Sequence, residues 1–255
     1  MARREKPRQF LPVSREDMLA RDWYWYDFLF ITADAYVDHP SFGAAVISRV
    51  LEDAGFRVCM LPQPDWRSVE DFVQFGKPRL GVFISGGNLD SMVAHYTAAK
   101  KRRSEDLYSP GGRTGLRPDR ATIVYANRVR EAFGHIPLII GGLEASLRRF
   151  AHYDYWEDKV RRSILFDAQA DLISYGMGER STLEIAQALK RGVPVGEIRN
   201  VKGTAFAAKD PSECAFPFVE VDSFESVQSD KTAYARANRI EYDEHDPVPG
   251  HPPAA

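Results

Sequence analysis

The chain has 255 residues, of which 44% are hydrophobic, and this length predicts one domain with tails rather than several domains. Its 34 Lys and Arg residues against 36 Asp and Glu residues give a net charge of -2, which argues against a nucleic-acid-binding protein, and no segment approaches the roughly 18 consecutive apolar residues of a membrane span. Two cysteines are too few for a disulfide framework, and together with the absence of an apolar signal segment they indicate a soluble protein of the reducing cytoplasm.

The N-terminal region divides into a charged part and an aromatic part. Residues 1–21 are polar and basic, and we predict a flexible N-terminal arm. The aromatic residues Trp23–Tyr26 follow and lead into the first apolar run. Because the chain carries no basic surplus, we expect this aromatic cluster to pack against a sheet edge or a neighbouring domain rather than to act as an exposed stacking surface.

Five apolar runs alternate with helical patterns along the middle of the chain. The predicted strands are Phe28–Thr32, Phe56–Leu61, Leu80–Ser85, Ile136–Ile140 and Leu172–Tyr175. The predicted helices are Phe42–Ala54, a short helix near Val69–Phe75, Asp90–Lys101, Ala121–Phe133, a helix that starts within Leu143–Arg149, and Ser181–Lys190. This alternation favours parallel strands joined by crossover helices. We therefore predict an α/β fold over residues 22–200, with an open parallel sheet of about five strands flanked by helices.

Three strand-to-helix junctions contain candidate ligand-facing residues. They are Ser85-Gly86-Gly87-Asn88, Gly141-Gly142 and Gly176-Met177-Gly178. Open α/β sheets bind their ligands outside the carboxyl ends of the strands, so these junctions identify the edge of interest. Glycines there allow backbone to approach a ligand and helix starts to bind an anion, but they also permit tight turns. None of the junctions completes Gly-x-Gly-x-x-Gly, and we favour turn geometry over phosphate recognition.

Acidic side chains accompany these junctions. Asp34 and Asp38 follow the first predicted strand, Glu144 follows the fourth and Glu179 follows the fifth. We expect them to form a small acidic mouth at the ligand-bearing edge of the sheet. No Gly-x-Ser-x-Gly elbow is present, and Ser85 precedes its turn rather than standing at the apex, so a hydrolase triad is not indicated.

Irregular patterns occur inside the domain and after it. Residues 104–119 form a long loop with several Gly and Pro residues, which we interpret as a lid or interface loop. The polar and aromatic residues 150–162 are interpreted as a surface excursion beside the sheet. Residues 201–246 are predicted as an irregular segment followed by a helix at Gln228–Tyr242. Residues 247–255, with four prolines, are predicted as a tail without a fold of its own.

Six sequence blocks give the chain a family resemblance. In chain order they are Asp34-Ala35-Tyr36-Val37-Asp38-His39-Pro40-Ser41-Phe42-Gly43, Gln63-Pro64-Asp65-Trp66, Ser109-Pro110-Gly111-Gly112, Gly141-Gly142-Leu143-Glu144-Ala145-Ser146-Leu147-Arg148-Arg149, His152-Tyr153-Asp154-Tyr155-Trp156 and Tyr175-Gly176-Met177-Gly178-Glu179. Through these blocks, residues 22–246 resemble the N-terminal region of the YgiQ-type radical SAM proteins. The resemblance implies a Rossmann-like domain of the cobalamin-binding type that precedes a radical SAM barrel.

The resemblance also implies cofactors that this chain is not expected to bind. In the full-length family, the barrel carries a Cys-x3-Cys-x2-Cys motif that holds a [4Fe-4S] cluster, which reduces and cleaves S-adenosylmethionine. The cysteines of this chain, Cys59 and Cys214, stand far apart and form no such motif. We therefore expect no cofactor and no radical chemistry in this chain alone. The expected partner is the missing C-terminal barrel, which the acidic mouth would face.

A cobalamin site would be a further consequence of the resemblance, but the residue pattern does not favour it. Cobalamin domains supply an axial histidine from Asp-x-His-x-x-Gly, whereas here Asp38 directly precedes His39 and Gly43 is one place too far. The alternative is that His39 caps the turn before the first long helix and contacts a carboxylate.

Three functions stay open at this point. The leading hypothesis is an accessory domain that shapes or covers the active site of a YgiQ-type radical SAM enzyme, because the ordered blocks and the missing cluster cysteines support it together. The alternatives are a small-ligand domain that binds cobalamin or a nucleotide, and a non-catalytic interaction module. The module would use as anchors the aromatic residues Trp23, Trp25, Tyr153, Tyr155 and Trp156.

Overall fold

A six-stranded sheet forms the centre of the protein, whose computed structural model describes residues 10–244. The strands of the described chain are β1 Phe28–Thr32, β2 Val58–Pro62, β3 Gly81–Ser85, β4 Leu138–Gly141, β5 His152–Asp154, β6 Lys159–Arg161, β7 Leu172–Ser174 and β8 Thr204–Ala205. The sheet has the order β2-β1-β3-β4-β7-β8, and β5 and β6 form a separate hairpin.

The first five strands of the sheet pair in parallel, which confirms the predicted open parallel sheet. Phe28 of β1 lies opposite Val58 of β2 on one side and Gly81 of β3 on the other. The sixth strand, β8, was not predicted; it pairs antiparallel with β7 through only two residues. The strand order reverses direction between β1 and β3, the position at which sheets of this order bind ligands.

Helices cover both faces of the sheet. The helices of the described chain are α1 Arg15–Ala20, α2 Gly43–Asp53, α3 Glu70–Val73, α4 Ser91–His95, α5 Ala121–Phe133, α6 Gly142–Leu147, α7 Ile164–Asp167, α8 Glu179–Lys190, α9 Phe224–Ser229 and α10 Lys231–Glu244. Every residue of β1 and β3 is buried, as expected for parallel strands with helices on both sides. No helix within residues 10–244 combines the length and the apolar character needed to cross a membrane.

Two hydrophobic clusters form the core because alternate residues of each strand point to opposite faces. Leu29 and Ile31 of β1 join the cluster that includes Tyr125 of α5. Phe28 and Phe30 join the cluster of the opposite face, which α2 and α8 cover. The sheet is therefore held from both sides, and its carboxyl-end junctions are the places where irregular backbone meets solvent.

The segment before the sheet is packed where the structure describes it, in contrast to the flexible arm predicted over residues 1–21. Leu11 is 1% exposed, and the backbone N–H of Met60 in β2 donates to the carbonyl of Pro12 at 2.8 Å. The side chain of Ser14 caps α1, accepting from the N–H of Asp17 at 3.1 Å. Residues 10–13 therefore cover the outer edge of β2, while residues 1–9 lie outside the described residues.

Two further segments differ from the sequence prediction: one predicted helix is shorter, and one predicted irregular stretch contains strands. The helix predicted over Asp90–Lys101 ends at His95, where the Arg103 side chain donates to the carbonyls of Val93 at 3.0 Å and Tyr96 at 3.1 Å. The predicted excursion over residues 150–162 contains the β5–β6 hairpin.

The C-terminal region is helical as well. The helix predicted at Gln228–Tyr242 is observed as α9 and α10, with Asp230 between them in an extended conformation. The predicted tail, residues 247–255, lies outside the described residues.

Candidate functional site

A pocket of about 330 Å³ opens at the carboxyl ends of the central strands, beside α2 and α8, and we call it the edge pocket. Its lining includes eight of the residues predicted from the junction pattern, namely Ser85, Gly87, Asn88, Gly141, Gly142, Gly178, Gly176 and Glu179. The structure therefore brings together residues that are up to about 90 positions apart in the sequence, as a parallel sheet does when its junctions share one edge.

The edge pocket has an apolar floor and a sparsely polar rim. Phe30, Phe83 and Ile139 from three neighbouring strands form part of the floor. Glu179 and Met177 line the pocket as well, and we take Met177, which is 93% exposed, as part of its rim. An apolar cavity with few polar groups suits a small ligand or the side chains of a neighbouring protein surface.

Two long helices begin at the edge pocket. Gly43 starts α2 and Glu179 starts α8, and neither helix is capped by the side chain of the residue that precedes it. The N–H of Gly43 donates to the side-chain oxygen of Asn88 at 3.4 Å. Asn88 also donates from its amide nitrogen to the carbonyl of Ser41 at 3.0 Å, so it fixes the β3 junction against the start of α2.

Asp34, by contrast, is used inside the fold. Its carboxylate accepts from the guanidinium of Arg117 at 2.8 Å and from the N–H of Asn88 at 2.7 Å. Arg117 also donates to Asp106 from two nitrogens, at 2.8 and 3.0 Å. Arg117 is 1% exposed and Asp34 and Asp106 are each 2% exposed, so this triad is closed to solvent. It attaches the long loop over residues 104–119 to the sheet edge.

The two carboxylates of this triad differ in their electrostatics. Burial raises the pKa of Asp34, and the single contact with Arg117 and the bond from Asn88 do not offset that effect. Burial also acts to raise the pKa of Asp106, but hydrogen bonds from Arg117 and Ser109 outweigh it, so the pKa of Asp106 lies below its usual range. The closer pairing with Arg117 therefore belongs to Asp106.

Glu144 is buried as well and caps two helices at once. It is 1% exposed, and its carboxylate accepts from the N–H of Ser91 at 2.8 Å and from the N–H of Thr122 at 2.9 Å. These donors lie in the first turns of α4 and α5, where N–H groups lack partners within the helix. Negative charge at a helix N-terminus is favourable, which accounts for a carboxylate at this position.

The glycines of the junctions provide space for these buried side chains. A Cβ at Gly87, whose φ is +97°, would overlap the carboxylate of Asp34. A Cβ at Gly86 would lie 2.9 Å from the carboxylate of Glu144, and one at Gly142 would lie 2.5 Å from the hydroxyl of Ser85. At these three positions glycine is required by internal packing, which favours the turn interpretation over phosphate recognition.

Asp38 and His39 lie away from the edge pocket, in a separate depression beside α2. The carboxylate of Asp38 forms an ion pair with Arg49, whose Nε donates to it at 3.1 Å. The Nδ1 atom of His39 accepts from the N–H of Ser41 at 3.1 Å, so this histidine caps the turn before α2. The four acidic residues expected to form a mouth are therefore dispersed, and among them only Glu179 lines the edge pocket.

Sequence reasoning did not identify Arg117 and Asp106 as members of the edge. Both lie in the loop over residues 104–119, and Arg117 contacts Asp34 across 83 positions of sequence. No local pattern reveals such a contact. The one available signal was the combination of opposite charges within a long loop that the fold has to attach somewhere.

The described residues do not fit an iron–sulfur cluster. Such clusters are held by three or four thiolates, whereas Cys59 is buried in β2, where burial raises its pKa to about 12, and Cys214 lies at the end of a short helical turn. Within residues 10–244, no three His, Cys, Asp or Glu side chains are arranged to hold a metal ion.

The aromatic residues proposed as interaction anchors are only partly covered. Trp25, Tyr153 and Tyr155 are 40%, 47% and 51% exposed. Trp25 lies near the guanidinium groups of Arg57 and Arg79, at 3.9 and 4.1 Å from its ring centroid. Such cation–π contacts account for a surface tryptophan without a partner protein, and the interaction module stays a hypothesis.

Comparison with known proteins gives a consistent result. The family model described as Radical SAM N-terminal matches residues 10–252. A UPF0313 protein of Clostridium perfringens (strain 13 / Type A) is 54% identical over 242 residues, which are 95% of this chain and 37% of that protein. A UPF0313 protein of Clostridium botulinum (strain ATCC 19397 / Type A) is 53% identical over 241 residues, 94% of this chain and 37% of that protein. The chain thus spans little more than a third of the length of these relatives. No solved structure matches it.

Proposed function

The chain belongs to the Radical SAM N-terminal family, and from this membership we propose that it is the accessory domain that shapes or covers the active site of a YgiQ-type radical SAM enzyme. The observation that carries the proposal is the edge pocket: an apolar cavity, open to solvent, at the edge where α/β sheets bind ligands. A second domain packed against this edge of the sheet would close the edge pocket. A reducing cytoplasm is part of the proposal, since both cysteines of this chain are unpaired.

The chemistry of the edge pocket supports a shaping role rather than independent catalysis. Glu179 is the one carboxylate among its lining residues, and Ser85 accepts a hydrogen bond from the N–H of Gly87 at 3.1 Å. Among the described residues that line the cavity there is no histidine, lysine or cysteine, so the cavity holds no Ser–His, Cys–His or lysine nucleophile. In the full-length family, the cluster of the barrel would supply the electron that cleaves S-adenosylmethionine.

The test uses a chimera in which this chain is joined to the remaining part of the Clostridium perfringens relative. We expect Met177→Asp, at the rim of the edge pocket, to change the rate of S-adenosylmethionine cleavage about fivefold or more while cluster content stays the same. Leu19→Asp is the matched control, because Leu19 is 48% exposed in α1 and does not line the edge pocket. Equal cleavage rates for Met177→Asp and the unchanged chimera would contradict the proposal.

A second experiment tests the absence of a cluster site in this chain. The chain alone is incubated anaerobically with iron and sulfide and then desalted. We expect no stable [4Fe-4S] absorption, because two distant cysteines cannot hold the cluster. A stoichiometric cluster would overturn the assignment of a purely accessory role.

Small-ligand binding is the second candidate function, and the position of the edge pocket favours it. The cavity of about 330 Å³ lies where the strand order reverses, and its volume falls at the lower end of the range of ligand pockets. Calorimetry with cobalamin, S-adenosylmethionine and common nucleotides would test it, with Ile47→Trp as the variant that narrows the cavity. Absence of heat for all these compounds at millimolar concentration would exclude this function.

A further inference from the structure

A second and larger cavity, of about 780 Å³, lies between the C-terminal helices and the β8 side of the sheet, and we call it the C-terminal groove. Helix α10 lines it with Ala237, Ile240, Glu241 and Glu244, a spacing that places these residues on one helical face. Phe166 of α7 and residues of β8 line the groove as well.

The groove leaves large apolar side chains exposed. Phe150, Phe166, Val219 and Val221 all line it, and they are 46%, 49%, 51% and 41% exposed. Four exposed apolar residues around one concave surface are unusual for a surface that stays in contact with water, and such patches mark interaction sites. The groove is therefore a surface whose burial would be favourable.

Polar contacts hold the C-terminal helices beside the groove without filling it. Glu241 of α10 pairs with Arg149 at 2.5 Å, and the hydroxyl of Tyr234 accepts from the N–H of Tyr153 at 3.3 Å. The side-chain amide of Gln228 in α9 donates to a carbonyl of β6 at 3.3 Å. Ala233 is the one buried residue of α10 within the described chain. Polar contacts thus hold the helix, one of them from Glu241 within its groove-lining face, while apolar side chains on the same groove remain exposed.

We propose that the C-terminal groove receives an apolar segment of the further domain present in full-length family members, an inference that rests on the proposed function. Two observations identify this occupant. The relatives are longer than this chain, which covers 37% of their length. Glu244, the last residue that the structure describes, itself lines the groove, so the described chain ends beside it.

The position of the groove explains how such an anchor would serve the edge pocket. Tyr175 lines the C-terminal groove, and the next two residues, Gly176 and Met177, line the edge pocket. Only one short junction after β7 therefore separates the two cavities. A domain anchored in the groove lies next to the rim of the edge pocket and covers the carboxyl edge of the sheet.

Hydrogen exchange on the same chimera tests this inference. We expect amides of α7, β8 and α10 to exchange about tenfold more slowly in the chimera than in this chain alone. Phe166→Glu and Val219→Glu should each abolish the slowing, whereas Leu19→Glu, in α1 and outside both cavities, should preserve it. All three side chains are about half exposed or more, so charge at these positions should leave the isolated fold intact, which circular dichroism and urea unfolding verify.

The outcomes separate this inference from the function on which it rests. If cleavage responds to Met177→Asp but the groove amides exchange equally fast in both proteins, the anchor is overturned and the accessory role stands. If the groove amides exchange more slowly in the chimera but Met177→Asp leaves the cleavage rate unchanged, the accessory role is overturned and the anchor stands. If this chain alone forms a dimer that Phe166→Glu disrupts, a second copy is the occupant and the inference is wrong.

Discussion

The carboxyl edge of the sheet has a closed side and an open side, and the junctions after β3 and β4 contribute to both. On the closed side, Asp34 and Glu144 are buried and bonded to Arg117 and to helix N-termini. On the open side, the edge pocket presents apolar walls and Glu179 to solvent. Polar residues at strand ends therefore mark a ligand site only where the fold leaves them without internal partners.

Removing the guanidinium of the closed side should have the largest effect on stability. Arg117→Leu leaves Asp34 and Asp106 as buried carboxylates without a cation, and we expect a loss of about 3 to 5 kcal/mol in the free energy of unfolding. Urea denaturation measures it. Arg113→Gln, an exposed change in the same loop, should cost less than about 0.5 kcal/mol. Similar midpoints for both variants would show that the buried triad does not hold the loop.

The next largest difference is expected between alanine substitutions at two junction glycines, one on the closed side and one on the open side. Gly87→Ala adds a methyl group against the carboxylate of Asp34 at a φ of +97°, and we expect a cost of about 3 kcal/mol or more. Gly176→Ala, with a φ of +70° and open space around it, should cost only the backbone term of about 1 to 2 kcal/mol. Thermal unfolding of both variants measures the difference, and equal losses would contradict the closed and open assignment.

The pH dependence of stability should distinguish the two aspartates of the closed side. The pKa of Asp106 is lowered in the fold, so its stabilising contribution is present above the unfolded pKa and is lost as pH falls through the folded pKa. The pKa of Asp34 is raised, so its contribution is present at low pH and is lost as pH rises through the folded pKa.

Opposite changes therefore follow from the two asparagine variants. Asp106→Asn should reduce the gain in unfolding free energy between pH 3 and pH 6, and Asp34→Asn should increase it. Urea titrations at several pH values measure both. Curves that change in the same direction would mean that the two carboxylates share Arg117 equally.

The smallest effect on stability is expected on the open side. Met177 is 93% exposed, and Met177→Asp should change the free energy of unfolding by less than about 0.5 kcal/mol. Urea unfolding of the isolated chain checks this value. A loss above about 1 kcal/mol would place the rim among the structural elements of the fold and would weaken its use as a probe of function.

The central fold was predictable because its signals are local. β1 over Phe28–Thr32 and α5 over Ala121–Phe133 have the predicted bounds, since an uninterrupted apolar run and a regular helical spacing dominate those segments. The meeting of the glycine junctions was predictable for the same reason: they follow β3, β4 and β7, and parallel strands place their carboxyl ends at one edge.

What escaped prediction depends on contacts between distant segments. The Arg117 triad joins a loop to a strand end 83 positions away, and the capping role of Glu144 requires that α4 and α5 begin at its carboxylate. β8 is two residues long and exists only because β7 offers it an unpaired edge. The β5–β6 hairpin has strands of three residues, too short for a reliable alternation pattern.

The contact between Pro12 and Met60 has a consequence for handling the protein. β2 ends the sheet on that side, and its unpaired peptide groups would otherwise be free to recruit a strand from another molecule. Trimming the polypeptide to begin at residue 14 would remove this natural shield. Such a shortened form should associate and precipitate as its concentration rises, even though every strand of the sheet is still present.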